Sequence, residues 1–568
     1  MSGKANFLNF ATIGEACKLS VSSLVNRVRN FSLSEFEESV VGKNGNRMIT
    51  EGNEKAVSSS IIAVSLVWAA VMMGDTWRSA RLELNLAGKE IAYADYLAII
   101  VLLVSLLALW VTITGFVKLT WRKTRSTALL GIATVWITFL VVRGLGHFVL
   151  VEADWEVVWA NRILVLVGQQ MTEQMTQSPG SPQCLDLLDC YGINQNFRLW
   201  WSLYAVFAVV GAAYGTTGEK PLRFLIPFAI VVIVIMSIAW NSTEINYHRE
   251  VPITRLAIAT LIAYASFGAS YYYCSTQEEY KANRLRSYLT IAAVLTFFFS
   301  LIIMDPPEFV KSLAELLGGS PAQSMREDII SGAVVPTTLD KLAGDGIEAS
   351  QWGGLYINLI IATAGCVLGF GIGVVLAFGR QSDQAFFKIP SVALIEVVRS
   401  GPLICWLYFA VFMMPDLMDP FYNAEDIMRM LIMFGLFGGC YIAEVLRGGL
   451  QAVDSGQKEA AIALGLSPLQ TKLQVELPNA VRTTLPSIIS VFIGLWKDTT
   501  LLFIVNILDF FKLAKDLPNT DKRFLGDFLE PLYVTALVFW VFAFYLSRIS
   551  MKVEKNLGLV KEGGGEAA

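Results

Sequence analysis

Twelve stretches of this chain are mostly apolar and about as long as a bilayer is thick: 56–74, 96–117, 127–150, 199–217, 221–240, 254–274, 288–304, 353–378, 390–414, 427–448, 484–505 and 531–550. A helix needs roughly 20 such residues to cross the hydrocarbon core. The expected fold is therefore an all-α integral membrane protein of about twelve transmembrane helices. The 568 residues are 54% hydrophobic and 16% charged, against about 25% charged in soluble domains. The net charge of −4 is small, and no block of basic residues points to nucleic acid.

Lys and Arg in the short loops set the orientation. KLTWRKTRS (118–126), KANRLRS (281–287), Lys220 with Arg223, and Arg380 with Lys388 all fall on one side of a twelve-span chain. Placing them inside puts both termini in the cytosol. The loops 151–198 and 305–352 then face out, as does the acidic loop with Asp416, Asp419, Glu425 and Asp426. Arg78, Arg81 and Lys89 in the outer loop 75–95 run against this rule. The first long apolar run starts near residue 56, so it is expected to act as a signal anchor rather than a cleaved leader. Residues 1–55 are expected to be a cytosolic segment, with SLSEFEESV as a short helix.

Cys184 and Cys190 are the close cysteine pair, in SPQCLDLLDC, and are either a disulfide or two free thiols. Cys366, Cys405 and Cys440 lie in apolar runs and are expected to pack. With only His147 and His248 in the chain, no metal site is expected. GxxxxGK[ST] is absent, and AYGTTGEKP (213–221) lacks both its spacing and a preceding strand. The chain is expected not to hydrolyse ATP.

EAAIALGLSPLQTKLQVELP (459–478) is soluble in character although it lies between two spans, on the inside by the same loop counting. Asp454 is placed to cap a helix, with Gln457 three residues on. Gly465 suits the left-handed turn that ends that helix. Ser467, Pro468 and Gln470 supply the N-cap, first position and capping box of a second helix. Leu469, Leu473 and Leu477 share one face, and Pro478 ends or kinks the helix. Two short helices thus meet at a fixed elbow. It is either an amphipathic connector on the membrane surface or a surface that another protein approaches closely over Ala460, Ala461 and Ala463.

The spacing Glu459-Ala460-Ala461, Gly465, Val475, Leu477-Pro478 resembles the EAA loop of permease subunits of ATP-binding-cassette importers, with Val475 where that family commonly has Ile. GGCYIAEVLRGGLQAVDSGQKEAAIALGLS (438–467), GLWKDTTL (494–501) and EVVRSGPL (396–403) resemble the polar and general L-amino acid permeases of that family. The resemblance implies a five-helix permease core over about 351–560 with its coupling loop at 454–480. Outside that core lie the N-terminal segment 1–55, an accessory region of about seven helices at 56–304, an extracytoplasmic loop at 305–350 and a cytosolic tail at 561–568. It further implies that Glu459, Ala460, Ala461, Gly465, Leu477 and Pro478 dock on two ATPase subunits, which bind the ATP and Mg. A second, different permease subunit, an extracytoplasmic amino-acid-binding protein and a bacterial inner-membrane location are implied too, with no cofactor in this chain.

Charges at bilayer depth cost about 2.5–3.5 kcal/mol each on insertion scales. Arg399 falls mid-span, just before a break expected at Gly401-Pro402, and Lys497 and Asp498 fall past the middle of theirs. Glu396 lies nearer the inside, while Glu444 and Arg447 sit at the inner end of theirs. A free amino acid needs an anion and a cation a few ångström apart. Asp498 suits the α-ammonium and Arg399 the carboxylate, with Lys497 and Glu444 as further candidates; alternatively these charges pair with each other and lock the bundle. Gly365, Gly369 and Gly373 form a small-residue stripe for close helix packing, within the chain or against a second permease. Arg143 and His147 stand one turn apart, expected at the outer end of their span. The rival readings are a secondary transporter or channel, and a non-transporting membrane scaffold or sensor on an importer-like core.

Overall fold

The structure is a computed structural model that describes residues 54–117, 125–168, 197–218, 220–239, 250–320, 337–344, 346–418, 425–519 and 522–556. Cys184, Cys190, His248, the N-terminal segment 1–53 and the tail 557–568 lie outside the described residues. Helices dominate throughout and no strand occurs among the described residues; a single isolated bridge joins Gly354 and Asp509. The chain divides into two compact units, residues 1–154 and 155–568.

In the first unit, α1 (Glu54–Leu86), α2 (Ala92–Val117) and α3 (Arg125–His147) pack with α2 in contact with both others, and a π turn, Phe148–Glu152, closes the unit. Ala80, Leu84, Ala94, Leu97, Val101, Phe139 and Val151 form its core. Indole N–H groups find polar partners inside this apolar setting: Trp136 Nε1 donates to Thr112 Oγ1 at 2.9 Å and Trp77 Nε1 to Asp95 Oδ1 at 2.7 Å. Val64, Leu66, Val67 and Val71 face outward on α1, as a lipid-facing surface requires.

The second unit opens with two short helices, α4 (Glu156–Ala160) and α5 (Arg162–Val167). A four-helix set follows: α6 (Phe197–Gly215), α7 (Leu222–Ala239), α8 (Glu250–Thr276) and α9 (Glu279–Met304). Helix α10 (Glu308–Leu316) packs on α11 (Thr338–Ala343). Arg198 is fully buried, and its guanidinium donates to the carbonyls of Ile303 at 2.8 Å and Gly344 at 3.0 Å. It thereby joins the start of α6 to the ends of α9 and α11.

The rest of this unit is built on α12 (Gly354–Arg380), α13 (Ala385–Ser400), α14 (Leu403–Tyr408), α15 (Asp426–Gln451), the elbow helices α16 (Ser455–Ala463) and α17 (Pro468–Thr471), α18 (Leu477–Asp498), α19 (Phe510–Asp516) and α20 (Leu529–Asn556). The tightest contact is α12 on α15. A Cβ at Gly369 would lie 3.2 Å from Gly439 N and 3.3 Å from Gly435 O; one at Gly373 would lie 2.8 Å from Ile442 Cγ2; one at Gly365 would lie 3.2 Å from Leu495 Cδ1. The glycine stripe is therefore consumed by packing within the chain. Helices α4 and α5 join a smaller core of Val157, Val165, Ala362, Trp496, Phe510 and Phe539. Gly354, at φ +62°, lets the start of α12 pass Val165: a Cβ there would meet its carbonyl oxygen at 2.4 Å.

Eight described helices are long and apolar enough to cross a membrane. A ninth follows if Ala385–Ser400 and Leu403–Met418, which meet at 109°, count as one broken span. That bend falls at Gly401-Pro402, where the 390–414 stretch was expected to break. The expected spans 56–74, 199–217 and 221–240 are helical but not among the eight. Residues 222–238 form an apolar helix of 17 residues, about 26 Å long, short of a ~30 Å core. The all-α membrane fold is as expected; the count of twelve is not reached among the described residues.

Because backbone atoms flank Gly369, a Gly369→Leu substitution must push α12 and α15 apart. It is expected to destabilise the chain by about 1–3 kcal/mol or more, seen as a lower unfolding midpoint in detergent, whereas Gly371→Leu, with open space around its Cβ position, leaves the midpoint nearly unchanged.

Candidate functional site: the elbow and the charges beside it

The elbow forms through local chemistry that the sequence specifies. Asp454 caps α16 by accepting from Gly456 N at 2.7 Å. Gly465, at φ +82°, ends it, with Gly465 N donating to Ile462 O and Leu466 N to Ala461 O. Ser467 and Gln470 complete a reciprocal capping box on α17, with Pro468 at its first position. Two expectations change. Gln457 does not close a box with Asp454; its Oε1 accepts from Asn479 Nδ2 at 2.8 Å instead. Pro478 does not end the second helix. A π turn over Lys472–Glu476 precedes it, and the helix runs on through α18. The wider turn accommodates a residue that has no N–H to give.

Tertiary contacts then hold the elbow rigid. Glu476 is buried and pairs with Lys458 at 3.3 Å. Lys472 lies over the Phe378 ring at the C-terminal end of α12, 5.6 Å from its centroid. Against this fixed frame Ala461 is buried, while Glu459, Ala460, Gly465 and Pro478 are exposed and Leu477 and Val475 are half-buried. Ile462, Leu464, Leu469 and Leu473 are exposed; Leu464 keeps 83% of its surface. Large apolar side chains held out on a capped, braced element form a patch that another surface can cover. The Lys458–Glu476 and Gln457–Asn479 pairings escaped the sequence reading because their partners lie 18 and 22 residues apart on different elements.

Next to the elbow stands a network of charges on α12, α13 and α15. Glu444 is its hub. Arg380 Nη1 lies 3.1 Å from Glu444 and 3.1 Å from Glu396. Arg447 Nε donates to Glu444 at 2.8 Å, and Arg399 Nη1 approaches it at 3.7 Å. Three arginines face two glutamates, so the cluster keeps one net positive charge. Arg399 lies at the end of α13, over the Tyr441 ring at 5.3 Å, and its buried Nε has no partner among the described residues. Asp498 is half-buried at the end of α18 and Lys497 is exposed. No ion pair joins Asp498 to Arg399 among the described residues; Arg399 turns to Glu444.

At the other end of α12, Asn358 and Asp509 form a buried polar node. Asp509 caps α19 by accepting from Phe511 N and Lys512 N, and it accepts from Asn358 Nδ2 at 3.3 Å. Asn358 Oδ1 accepts from Phe510 N at 2.9 Å. Burial pushes the Asp509 carboxyl up to about 6, against the opposing pull of these donors. In the first unit, Arg143 reaches Asp75 at 3.9 Å, and His147 stands between Glu83 and Glu152. The scarcity of histidine argued against such a grouping; a carboxylate 64 residues away on α1 was not visible from it.

A multi-pass helical bundle with glycine-mediated packing and a braced, exposed elbow is the build of a membrane component of a transport system. The family described as binding-protein-dependent transport system inner membrane component matches residues 369–557. The glutamate/glutamine/aspartate/asparagine transport system permease protein BztC of Rhodobacter capsulatus is 40% identical over 216 residues, 38% of this chain and 50% of that one. The inner membrane amino-acid ABC transporter permease protein YhdY of Escherichia coli is 38% identical over 210 residues, 37% and 57% of the two chains. The glutamate transport system permease protein GluD of Corynebacterium glutamicum is 30% identical over 236 residues, 38% and 83% of the two chains. The chain belongs to this family of ABC-importer permeases, and its match spans only about half the length of the first two relatives.

Two outcomes are expected. Lys458→Met leaves the buried Glu476 carboxylate unpaired, which costs about 1–3 kcal/mol locally; hydrogen exchange across 455–464 quickens, and adding Glu476→Leu slows it again. For Asp509, the native carboxyl holds its proton up to about 6 and the unfolded one only to about 3.8, so native stability falls as pH rises through that window. Asp509→Asn is neutral throughout. Its unfolding midpoint relative to the parent is therefore higher near neutral pH than near pH ~4.

Proposed function

We propose that this chain is the membrane-spanning subunit of an ATP-driven amino acid importer in a bacterial inner membrane. It forms the translocation pathway with a second, different permease subunit and works by alternating access. An extracytoplasmic binding protein delivers the substrate. Two ATPase subunits bind ATP and Mg, and their closure moves the elbows and switches the cavity between sides. This chain carries neither cofactor nor hydrolytic site of its own. Both termini lie in the cytosol, the permease core occupies about 351–560, and 56–304 is an accessory region. The amino acid substrate is carried over from the names of the relatives.

The observation that carries this reading is the elbow. It is capped at three points, pinned to the span helix by Lys458–Glu476 and Gln457–Asn479, and it holds Ile462, Leu464 and Leu469 out to solvent. A connector resting on the membrane has no need of that rigidity, whereas a lever that transmits motion does. Docking then falls to Glu459, Ala460, Ala461, Gly465, Leu477 and Pro478 with the exposed leucines. In the membrane, Asp498 takes the α-ammonium and Arg399 the carboxylate. Support comes from the surplus positive charge around Arg399 and from the lack of an ion pair between the two.

The test is a mild-detergent pull-down from native membranes with ATPase activity assayed in the eluate, comparing the parent with a Glu459→Lys, Gly465→Val chain. An ATPase that co-elutes with the parent and is released by the double change supports docking at the elbow; its absence under several detergents rejects the reading. With the complex in hand, Asp498→Asn should lower amino acid uptake at least tenfold while assembly stays intact. Equal loss of both would make Asp498 a packing residue.

A further inference from the structure

The first unit has a cluster that the transport reading does not use. His147, the last residue of α3, lies with Nε2 3.1 Å from Glu83 Oε2 on α1 and Nδ1 3.0 Å from Glu152 Oε1 on the π turn. One ligand atom from each of the three falls within 4.8 Å of the others. A neutral imidazole has a single N–H and donates to one carboxylate only. The other nitrogen then presents a lone pair to a second anion, which is unfavourable unless a second proton or a metal ion stands between them.

The neighbouring cations do not supply that charge. Lys89 Nζ donates to the carbonyls of Val151, Glu152 and Ala153 at 3.3, 3.0 and 2.9 Å. Arg143 is paired with Asp75. Among the described residues, neither Glu83 nor Glu152 has an ion-pair partner other than His147. Lys89 instead ties down the end of the π turn and so fixes where Glu152 stands.

We propose that Glu83, His147 and Glu152 form a binding site for a divalent transition-metal ion, with zinc the best match. Nε2 and the Glu83 carboxylate hold the ion; their 3.1 Å separation is a few tenths of an ångström under the ~3.3–3.6 Å between adjacent tetrahedral ligands with bonds of about 2.0–2.2 Å, a gap that a small rotation of the exposed Glu83 side chain opens. Glu152 accepts the Nδ1–H, which fixes the tautomer and turns the ring toward the ion. Imidazole with carboxylate favours zinc over magnesium or calcium, which take all-oxygen sets. All three residues are partly open to solvent, so the ion can enter and water can fill its remaining positions. The site lies at the C-terminal end of α3, opposite the end that begins at Arg125. A bound ion there would clasp α1 to α3, and the proposal stands whether or not the chain transports amino acids.

The experiment uses the full chain, purified in detergent and freed of metal, titrated with zinc chloride in a calorimeter. X-ray absorption at the zinc edge is recorded on the parent itself, so that the result does not depend on a variant folding. One equivalent bound, with imidazole scattering in a nitrogen/oxygen shell, is the expected result. His147→Ala should weaken binding at least tenfold, and Glu152→Gln, which acts only through the ring, about tenfold. No binding by the parent, binding without an imidazole signature, or unchanged affinity in both variants would overturn the proposal.

Discussion

Close approach of α12 to α15 is the contact on which the second unit depends. In a bilayer, apolar side chains gain little from meeting each other rather than lipid, so helices associate through packing at short range. Gly365, Gly369 and Gly373 on one side and Gly435, Gly438 and Gly439 on the other bring the two backbones together. The elbow and the charge network both hang from that pair. Helix α15 leads into the elbow, α18 returns from it and packs on α15, and the Glu444 hub joins α12, α13 and α15.

In the proposed coupling role the elbow transmits force only if it cannot flex at its joints. Its caps determine where each short helix begins and ends, but caps alone leave the angle between the helices free. The Lys458–Glu476 pair, the Gln457–Asn479 bond and Lys472 over Phe378 remove that freedom. The π turn at 472–476 lets the second helix run through Pro478 into the span, so displacement of the elbow passes directly into α18. The charges beside it follow the same logic. Glu444, held by three arginines, ties α12, α13 and α15 together close to the start of the elbow.

Much of this was legible in the chain. Gly465 and the Ser467-Pro468-Gln470 cap act through bonds two to five residues long, and such bonds depend on local sequence alone. The break at Gly401-Pro402 was visible for the same reason, since proline cannot complete the helical ladder. Asp498 and Arg399 suggested a pair because both are charges at bilayer depth. The fold gave Arg399 a nearer anion, Glu444, and that preference rests on how three helices pack. Glu83 beside His147 was equally hidden, because α1 and α3 are far apart in the chain.

The sequence by itself determined that this is a helical membrane protein, that its last two-fifths carry a permease pattern, and that a two-helix elbow interrupts that pattern at 454–480. Hydrophobic run length and local capping are properties of short segments and survive without knowledge of the fold. Tertiary structure alone decided that the glycine stripe is spent inside the chain, that Glu444 is a hub, and that α4 and α5 pack on α12, α19 and α20. It also decided that a lone histidine sits between two carboxylates. Each of these is a contact between residues distant in sequence, and its energy exists only once helices have chosen their neighbours.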